Sequence, residues 1–442
     1  MNRRVNSNHA LLYAVEVANR LNLPVLVYEA LTCTYEYAND RLHTFVLEGV
    51  PENARRLDKV GIGYTFYLRR TQKDPNNTFY AVAQDAAAIV TDDYPTFIAR
   101  TNNSRVPAKL DVTYYAVDSS CVVPMSEIPH RQYGAYTIRP RIHRLLPQYL
   151  TPADALKVKH RYTGPIPKFH TEVSDTNIKQ LVASCQIDHS VAPSSEFKGG
   201  SLAAENYLTI FLKDKLRHYA TGRNEPSENA TSHMSPYLHF GQISALEIAL
   251  RVSEYAKEHK LIADEYLEEL IVRRELAFNY ARFVEDPGEL KNLPDWCQLN
   301  MQKHAKDKRD PVYTPQQFER AETHDELWNA AQKEMLLYGT IQGYYRMYWG
   351  KKIIEWSRTY EEAAKTMIDI HGRYALDGRD PNTYTNIFWC FGLHDRPWPE
   401  RPIFGKMRFM SLDGMKRKTN TRAYIDQFNR RSSSKQQSLW TS

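Results

Sequence analysis

GYYRMYWGKKIIEW, at residues 343–356, places two tryptophans, Trp349 and Trp356, seven residues apart. On a helix this spacing is nearly two turns, so both rings lie on one face about 10 Å apart along the axis. Trp328 precedes the stretch and Trp389 follows it. Aromatic residues at helical spacing most often fill a core. A tryptophan cluster beside arginines and acids also suits electron hopping between rings, and spacing alone leaves both interpretations open.

The composition is typical of a globular protein that works in water. The chain has 442 residues, 42% of them apolar and 25% charged, which favours two or three domains. No run of about 18 apolar residues predicts a membrane span. The first residues lack the hydrophobic core of a signal peptide, so we expect a cytoplasmic, intracellular protein.

Cysteine and histidine patterns argue against disulfides and metal sites. The five cysteines are scattered and form no CxxC pair, and the fifteen histidines include no HExxH spacing. We therefore expect reduced, packed cysteines and no metal.

The charge distribution permits a nucleic-acid partner. Net charge is +6, and residues 406–422 carry six basic residues against one acid. Basic side chains neutralise phosphates, although such a run is often only a solvated surface. The high aromatic content, 12%, suits stacking on planar ligands or bases.

The first part of the chain alternates helices and strands. We predict helices over 8–20 and 39–60, and strands in LPVLVYEAL, TFYLRR and AAAIVTDDY. This alternation predicts a parallel α/β sheet. The chain opens on a helix, so we expect the sheet to lack its first strand, because either the start lies upstream or the chain is shortened.

The rest of the chain reads as a linker followed by helices. We predict an α/β domain at 1–125, a proline-rich interdomain linker at 126–200, a helical domain at 201–430 and a disordered tail at 431–442. Helical periodicity predicts helices over 202–219, 242–258, 264–283, 325–338, 341–357 and 360–371.

Two further motifs have both an ordinary and a functional interpretation. The segment NATSHMSPYLHFGQIS, residues 229–244, offers hydroxyls and backbone N–H groups that could hold phosphates or merely cap a helix. In EYLEELIVRRELAFNYARF, residues 265–283, Glu269 and Arg273 are i,i+4 neighbours. Such a pair is usually solvated, but this helix is apolar nearly all round, and buried charges need partners.

Many separate strings together resemble one family. SPYLHFGQIS, EELIVRRELA, GYYRMYWGKKIIEW and RYALDGRDPN, with YLTIFLKDKLRHYA, THDELWNAAQKEML and GKMRFMS, occur in family order. The chain resembles the class II cyclobutane pyrimidine dimer (deoxyribodipyrimidine) photolyases of the photolyase/cryptochrome family. The resemblance implies an α/β N-terminal domain and an all-α C-terminal domain that binds FAD. It also implies light-driven repair of DNA, in which reduced FAD donates an electron to a flipped-out dimer.

The resemblance also implies residue roles. Trp349, Trp328 and Trp356 would be the flavin-proximal, middle and surface tryptophans of a photoreduction chain. FAD would be held by Tyr219, Thr231, Ser232, His233, Met234, Ser235, Arg274, Arg346 and Asp377. The dimer would meet Arg223, Asn224, Glu269, Met347 and Trp389. DNA phosphates would meet Lys406, Arg408, Lys416, Arg417, Lys418 and Arg422.

Two departures from the family concern the site. His371 stands where the family usually has asparagine near the flavin. Histidine titrates near neutral pH, so it could change flavin protonation and the stability of the radical; alternatively it packs in its neutral form and fills a similar hydrogen-bonding role. The stretch from Trp389 to His394 is one residue short. These departures keep open a second function, a cryptochrome-like FAD photosensor without repair activity. A deazaflavin antenna, a monomeric state and the absence of a membrane partner are further expectations.

Overall fold

The N-terminal part alternates helices and strands, as predicted. The structure, a computed structural model, describes residues 1–439, and side chains for residues 1–430. The helices of this part are α1 His9–Leu21, α2 Asp40–Leu47, α3 Val50–Lys59, α4 Thr78–Ala83 and α5 Phe97–Arg105. The strands are β1 Leu26–Thr32, β2 Gly63–Arg69, β3 Ala88–Asp92 and β4 Thr113–Val117.

The predicted helix over 39–60 is two helices, α2 and α3. The break falls at Gly49, and Pro51 lies in the first turn of α3. Proline has no backbone N–H to donate, so it is tolerated in a first turn but interrupts a continuous helix.

The strands form two separate parallel pairs, β1 with β2 and β3 with β4. Within residues 1–439, no strand joins β1 to β3. Residues 2 and 3 instead contact both pairs. The backbone N–H of Asn2 donates to Asp92 at the end of β3 (2.9 Å), and Arg3 donates to the Ala30 carbonyl in β1 (3.2 Å).

The predicted linker contains two helices, α6 Ala135–Tyr149 and α7 Ile178–Ala183. Helix α6 is longer than a linker interpretation of 126–200 implies, since it has 15 residues with prolines at 140 and 147. Prolines argue against a helix locally. Here Ile138 and Ile142 are fully buried in the core, and that burial outweighs the local preference.

The C-terminal part is helical, as predicted. Its helices are α8 Ser201–Ile210, α9 Tyr219–Gly222, α10 Ser235–His239, α11 Ala245–His259, α12 Asp264–Leu267, α13 Arg274–Phe283, α14 Asp295–His304, α15 Pro315–Glu319, α16 Glu326–Tyr338, α17 Gly343–Trp356, α18 Tyr360–Tyr374, α19 Pro381–Trp389, α20 Leu412–Lys418 and α21 Thr421–Leu439. Two π-helical segments, Phe211–Lys215 and Glu268–Arg273, continue α8 and α12. Short 3-10 turns lie at Pro107–Lys109, Met125–Glu127, Leu216–His218, Pro226–Glu228 and Leu290–Asn292.

The predicted disordered tail is helical over most of its length. Helix α21 continues to Leu439, and residues 440–442 lie outside the described part of the chain. Tyr424 and Phe428 anchor the start of α21 in the core. Once a helix is nucleated, each further residue adds one hydrogen bond, so a polar segment can extend it.

Two large hydrophobic cores and two smaller clusters form among the described residues. One large core includes side chains from α2, α6 and α8 to α13, so the N-terminal and helical parts share it. The other large core lies within residues 280–428 and contains the tryptophans. Arg41 of α2, 3% exposed, donates to the carbonyls of Met335 (3.0 Å) and Tyr374 (2.8 Å). Among the helices described, none is long and apolar enough to cross a membrane.

Candidate functional site

Three buried tryptophans form a continuous path of rings. Trp349 of α17 and Trp328 of α16 are stacked, with centroids 6.0 Å apart and planes 7° apart. Trp328 in turn lies 6.3 Å from Trp356 in an edge-on arrangement. Trp328 therefore lies between Trp349 and Trp356 in this path. The middle ring comes from a different helix from the other two.

Hydrogen bonds fix the two inner rings. The Trp328 Nε1 donates to the Trp349 carbonyl (3.0 Å), and the Trp349 Nε1 donates to the Gln332 Oε1 (2.9 Å). Trp328 and Trp349 are 0% and 1% exposed. Rings packed and bonded in this way keep their separation and orientation.

Trp356 does not itself reach the surface, contrary to its expected role as the surface tryptophan. It is 3% exposed, because Tyr313 and His324 cover it at centroid distances of 5.7 and 4.9 Å. His324 is exposed and bonded to the Tyr313 hydroxyl (2.7 Å). The path therefore reaches solvent one ring later than predicted.

The inner end of the path meets a buried charged cluster. Arg346 of α17 donates through Nη2 to both carboxylate oxygens of Asp377, at 3.2 and 3.1 Å. His371 of α18 lies edge-on to Trp349, 4.9 Å between centroids. At Gly378 a Cβ atom would lie 1.9 Å from the His371 carbonyl oxygen, so only glycine lets the loop carrying Asp377 approach α18 this closely.

His371 is held in its neutral form. Burial, and then the nearby Arg346 cation, lower the pKa of His371 to about 4. Of the two interpretations of this histidine, this lowered pKa favours a neutral ring that serves as a hydrogen-bonding group. Its Nδ1 donates to the Met367 carbonyl (2.9 Å), so the lone pair is on Nε2.

The predicted phosphate loop precedes the short helix α10. His233 has a left-handed backbone conformation (φ 57°) and contacts Asn229, and Met234 is buried. Thr231 accepts from Lys215 through its carbonyl (3.4 Å), and Ser235 is exposed as the first residue of α10.

Tyr219 and Ser232 face the same aromatic neighbour near this loop. The Tyr219 ring lies 5.1 Å from Tyr266. Burial raises the pKa of Tyr266, and a hydrogen bond with Ser232 partly offsets that rise.

Arg274, which the resemblance placed at the flavin, is engaged elsewhere. It is 5% exposed, donates to the Ser120 carbonyl (2.6 Å) and lies 4.3 Å from the Phe278 ring centroid. Its neighbour Glu275 accepts from the Val122 and Val123 N–H groups at 2.7 and 3.1 Å. Both residues tie α13 to the end of the α/β part, and sequence alone does not show that pairing.

The buried cluster has unused hydrogen-bonding capacity. Within residues 1–430, Arg346 Nε and His371 Nε2 are buried and have no hydrogen-bond partner. Buried polar atoms are normally paired, so these atoms fit a polar planar ligand. A flavin carries ring nitrogens and carbonyl oxygens that match them. Arg346, His371 and Asp377 would hold such a ring beside Trp349.

The predicted substrate residues form two groups, which would lie on two sides of a substrate pocket. On one side, Arg223, which directly follows α9, donates a hydrogen bond to Glu269 of the π-helical segment (2.8 Å). Asn224 beside it is exposed. On the other side, Met347 of α17 and Trp389 of α19 are half-buried, and the Cys390 thiol contacts the Met347 carbonyl (3.9 Å).

The surroundings of Trp389 include residues that sequence reasoning missed. Lys351, fully buried, donates to the Cys390 carbonyl (2.6 Å), and its Nζ lies 5.4 Å from the Trp389 centroid. Arg408 lies 4.9 Å from Trp389 and 4.2 Å from Trp398. Lys351 shares a helix with Trp349 but has no distinctive spacing, so no sequence signal singled it out.

The shortened stretch after Trp389 is a tight turn. Gly392 and His394 both have positive φ, 105° and 60°. A Cβ at Gly392 would lie 2.7 Å from Trp296 and from Cys297. The Nδ1 of His394 donates to the Tyr133 carbonyl (3.0 Å), which ties the turn to the segment before α6.

The predicted phosphate-binding residues divide into two groups. Lys406 and the consecutive Lys416, Arg417 and Lys418 at the end of α20 are exposed. Arg408 is paired with Asp395 (2.9 Å) and Arg422 with Asp426 (3.1 Å). An arginine paired with a carboxylate is less available to phosphate, and Arg408 belongs instead to the surroundings of Trp389.

All five cysteines are buried and free. The described residues contain no group of three or more His, Cys, Asp or Glu side chains that could hold a metal ion.

Comparison with solved structures shows the fold. A bacterial class III photolyase from Agrobacterium tumefaciens superposes with a TM-score of 0.69 at 17% identity, covering 97% of this chain and 84% of that one. An archaeal photolyase from Sulfolobus tokodaii, solved with two FAD molecules, gives 0.69 at 14% identity, covering 96% and 87%. A cryptochrome from Synechocystis gives 0.62 at 14%, covering 97% of both chains.

Comparison of sequences shows the family. A family model described as DNA photolyase matches residues 1–158. Deoxyribodipyrimidine photo-lyases from Methanothermobacter thermautotrophicus and Arabidopsis thaliana are 38% and 37% identical to this chain. Each alignment covers 96% of this chain, with 92% of the first relative and 86% of the second. Identity at this level over nearly the whole length means that the chain belongs to the DNA photolyase family.

Proposed function

We propose that this protein is a deoxyribodipyrimidine photo-lyase of class II that uses light to repair cyclobutane pyrimidine dimers in DNA. The observation that carries the proposal is the buried Arg346–Asp377 pair at the inner end of the tryptophan path. The related photo-lyases, at 38% and 37% identity, support the same activity.

The proposed cofactor is FAD. When bound, reduced and excited by light, FAD supplies the electron that splits the cyclobutane ring. Arg346 stabilises negative charge on the ring, because a nearby cation favours the anionic form of a ligand. Asp377 orients that guanidinium through its two oxygens.

The tryptophan path leads from this cluster towards solvent. The rings of Trp349, Trp328 and Trp356 are separated by 6.0 and 6.3 Å. We propose that this path delivers electrons inward to keep the cofactor reduced, and that it takes no part in the repair step.

The proposed substrate pocket lies between the two sides already described. Glu269 and Arg223 offer charged hydrogen-bonding groups to one edge of a flipped dimer, and Trp389 and Met347 offer apolar surface. A dimer must leave the base stack to reach a buried cofactor, and a damaged pair is cheaper to extrude than an intact one. Lys406 and Lys416 to Lys418 neutralise phosphates and fix position without reading sequence.

The remaining parts of the proposal concern organisation. Residues 1–125 would act as an antenna-type part, 126–200 as a connection and 201–430 as the FAD- and DNA-binding part. We propose that the protein is intracellular, because its substrate is DNA. We also propose that it is a monomer. A deazaflavin antenna stays a prediction, to be checked by the absorption spectrum of the purified protein.

The test uses purified, chemically reduced protein and an oligonucleotide with one thymine cyclobutane dimer. Under blue light we expect absorbance near the DNA maximum to recover, because repair restores the double bonds of the two thymines. A dark sample and an undamaged oligonucleotide are the controls. No recovery would contradict the proposal.

A second function, a blue-light photosensor without repair activity, rests on His371 and the tight turn after Trp389. A protein that retains FAD and photoreduces it but leaves the dimer intact would favour this function. The shared fold does not distinguish the two, since both photolyases and a cryptochrome superpose on the chain.

A further inference from the structure

The segment around α6 is strongly basic. Residues 130–149 contain no aspartate or glutamate but four arginines and two histidines: Arg131, Arg139, Arg141, Arg144, His130 and His143. Arg141, His143 and Arg144 are exposed, and the buried face of the helix is Ile138 and Ile142. The charge therefore faces solvent as one surface of positive sign.

Two aromatic side chains project from the same surface. Tyr133 is 69% exposed and Tyr136 is 73% exposed. Tyr136 and Arg144 are eight residues apart on α6, just over two turns, and so share a face. Exposed aromatic rings among basic residues are the combination that holds unpaired nucleic-acid strands, because bases stack on the rings and phosphates meet the cations.

This surface adjoins the proposed substrate pocket on both sides. His394, in the turn after Trp389, donates to the Tyr133 carbonyl (3.0 Å). Arg139 donates to Glu268 at 3.0 and 2.6 Å, and Glu268 is the neighbour of Glu269 on the π-helical segment. The tyrosines therefore lie beside the pocket, where DNA opened around a flipped dimer would pass.

We propose that Tyr133, Tyr136 and the exposed arginines of α6 form a second DNA-contact surface, which takes the unpaired bases and phosphates next to the extruded dimer. This inference rests on the proposed function and adds a partner surface to it. The charge of the surface favours DNA over a protein as its partner. Residues 130–149 contain no acidic side chain, and a surface of one positive sign matches a polyanion better than a typical protein surface of mixed charge.

The experiment measures dissociation constants in the dark for two probes, a duplex with one thymine dimer and a single strand of the same length. The variants are Tyr133→Ala, Tyr136→Ala and the corresponding Tyr→Phe changes. We expect each alanine variant to bind both probes about five- to a hundredfold more weakly, since it loses a stacking partner. Phenylalanine keeps the ring and should bind like the unaltered protein.

The matched control for the tyrosines is Ile166→Ala. Ile166 is also an exposed apolar side chain, at 64%, between residues 126 and 200, and its removal should leave both constants unchanged. Flavin content and the melting temperature confirm that each variant is folded.

The exposed arginines are tested separately, by the salt dependence of DNA binding. Replacing Arg141 or Arg144 by glutamine should reduce the slope of log affinity against log salt by about one for each phosphate that is no longer neutralised. Arg105→Gln, on an exposed position of α5, is the control and should leave the slope unchanged.

The outcomes separate this inference from the proposed function. If the unaltered protein repairs the dimer but both alanine variants bind within twofold of it, the inference is wrong, and the tyrosines face another kind of partner such as a protein. If the unaltered protein neither repairs nor prefers damaged DNA, the proposed function fails, and the inference fails with it.

Discussion

At the scale of single residues, His371 is the position where the family resemblance implies an asparagine. A carbonyl oxygen can only accept, so the contact with the Met367 carbonyl requires a proton on Nδ1. Because the pKa of His371 is about 4, the ring is neutral and its buried Nε2 is an acceptor only. An asparagine side chain could donate or accept. The departure therefore changes hydrogen bonding and leaves charge unchanged.

We predict that His371→Asn changes the rate at which photoreduced flavin reoxidises, by a factor that is constant between pH 6 and 9. The factor is constant because His371 does not titrate in that range. The decay of flavin absorbance after a light pulse measures the rate at several pH values. His259→Asn is the control, since that histidine is exposed, stacks on Tyr255 and lies outside the tryptophan path. Identical decay in His371→Asn and the unaltered protein would contradict the prediction.

Lys351 is a second residue with an unusual titration. Burial lowers the pKa of Lys351 from 10.5 to about 8. Between these values the unfolded chain binds more protons than the folded one, so the free energy of unfolding rises with pH. The cost of burying the charge is full below pH 8 and disappears above pH 10.5.

Between pH 7.5 and 9.5, we expect the free energy of unfolding of the unaltered protein to rise by about 2 kcal/mol. We predict that Lys351→Met lacks this rise. Urea unfolding at a series of pH values measures it. Lys352→Met is the matched control, because the neighbouring lysine is paired with Glu355 (2.6 Å) and faces Trp356. Parallel curves for Lys351→Met and the unaltered protein would rule out this assignment.

At the scale of elements, α16 completes the electron path that α17 begins. Trp349 and Trp356 lie on α17, and Trp328 of α16 lies between them, 6.0 Å from one ring and 6.3 Å from the other. The contact between the helices is fixed by the Trp328 Nε1 bond to the Trp349 carbonyl. Removing the middle ring would leave the outer two on one helix with no stacked partner between them.

We predict that Trp328→Phe abolishes photoreduction of oxidised flavin by an external donor but leaves repair by chemically reduced protein unchanged. Phenylalanine keeps the packing approximately but is much harder to oxidise than tryptophan. Flavin absorbance under light measures photoreduction. Repair of the dimer under light, by protein that was first reduced chemically in the dark, measures the second activity. Trp296→Phe, half-buried outside the path, should affect neither, and loss of repair in Trp328→Phe would show that the residue serves the substrate step.

At the scale of the whole molecule, the α/β and helical parts are joined by buried polar contacts as well as by apolar packing. Glu275 of α13, 4% exposed, accepts two backbone N–H groups from residues 122 and 123. Burial raises the pKa of Glu275 from 4.5 to about 8. Between these values the folded protein binds more protons than the unfolded chain, so stability falls as pH rises.

Between pH 6 and 8, we expect the free energy of unfolding of the unaltered protein to fall by about 2 kcal/mol. We predict that Glu275→Gln lacks this fall. The glutamine oxygen can still accept from both N–H groups, so the junction itself is kept. Glu268→Gln is the control, because the hydrogen bond from Arg139 outweighs the effect of burial and lowers the pKa of Glu268. If the pH dependence of unfolding is the same in Glu275→Gln and the unaltered protein, the carboxyl group of Glu275 does not titrate at this junction.

The sequence by itself determined the local elements and the family. Helix α17 follows from the spacing of its apolar and aromatic residues, and the alternation of α1, β1, α2 and β2 follows from periodicity. Helix α6 was missed because Pro140 and Pro147 argue locally against the burial of Ile138 and Ile142. Contacts between distant segments were decided only by the tertiary structure, because residues far apart in the chain acquire partners through packing. Such contacts place Trp328 between two rings, Arg274 against Ser120 and Tyr133 beside the turn after Trp389.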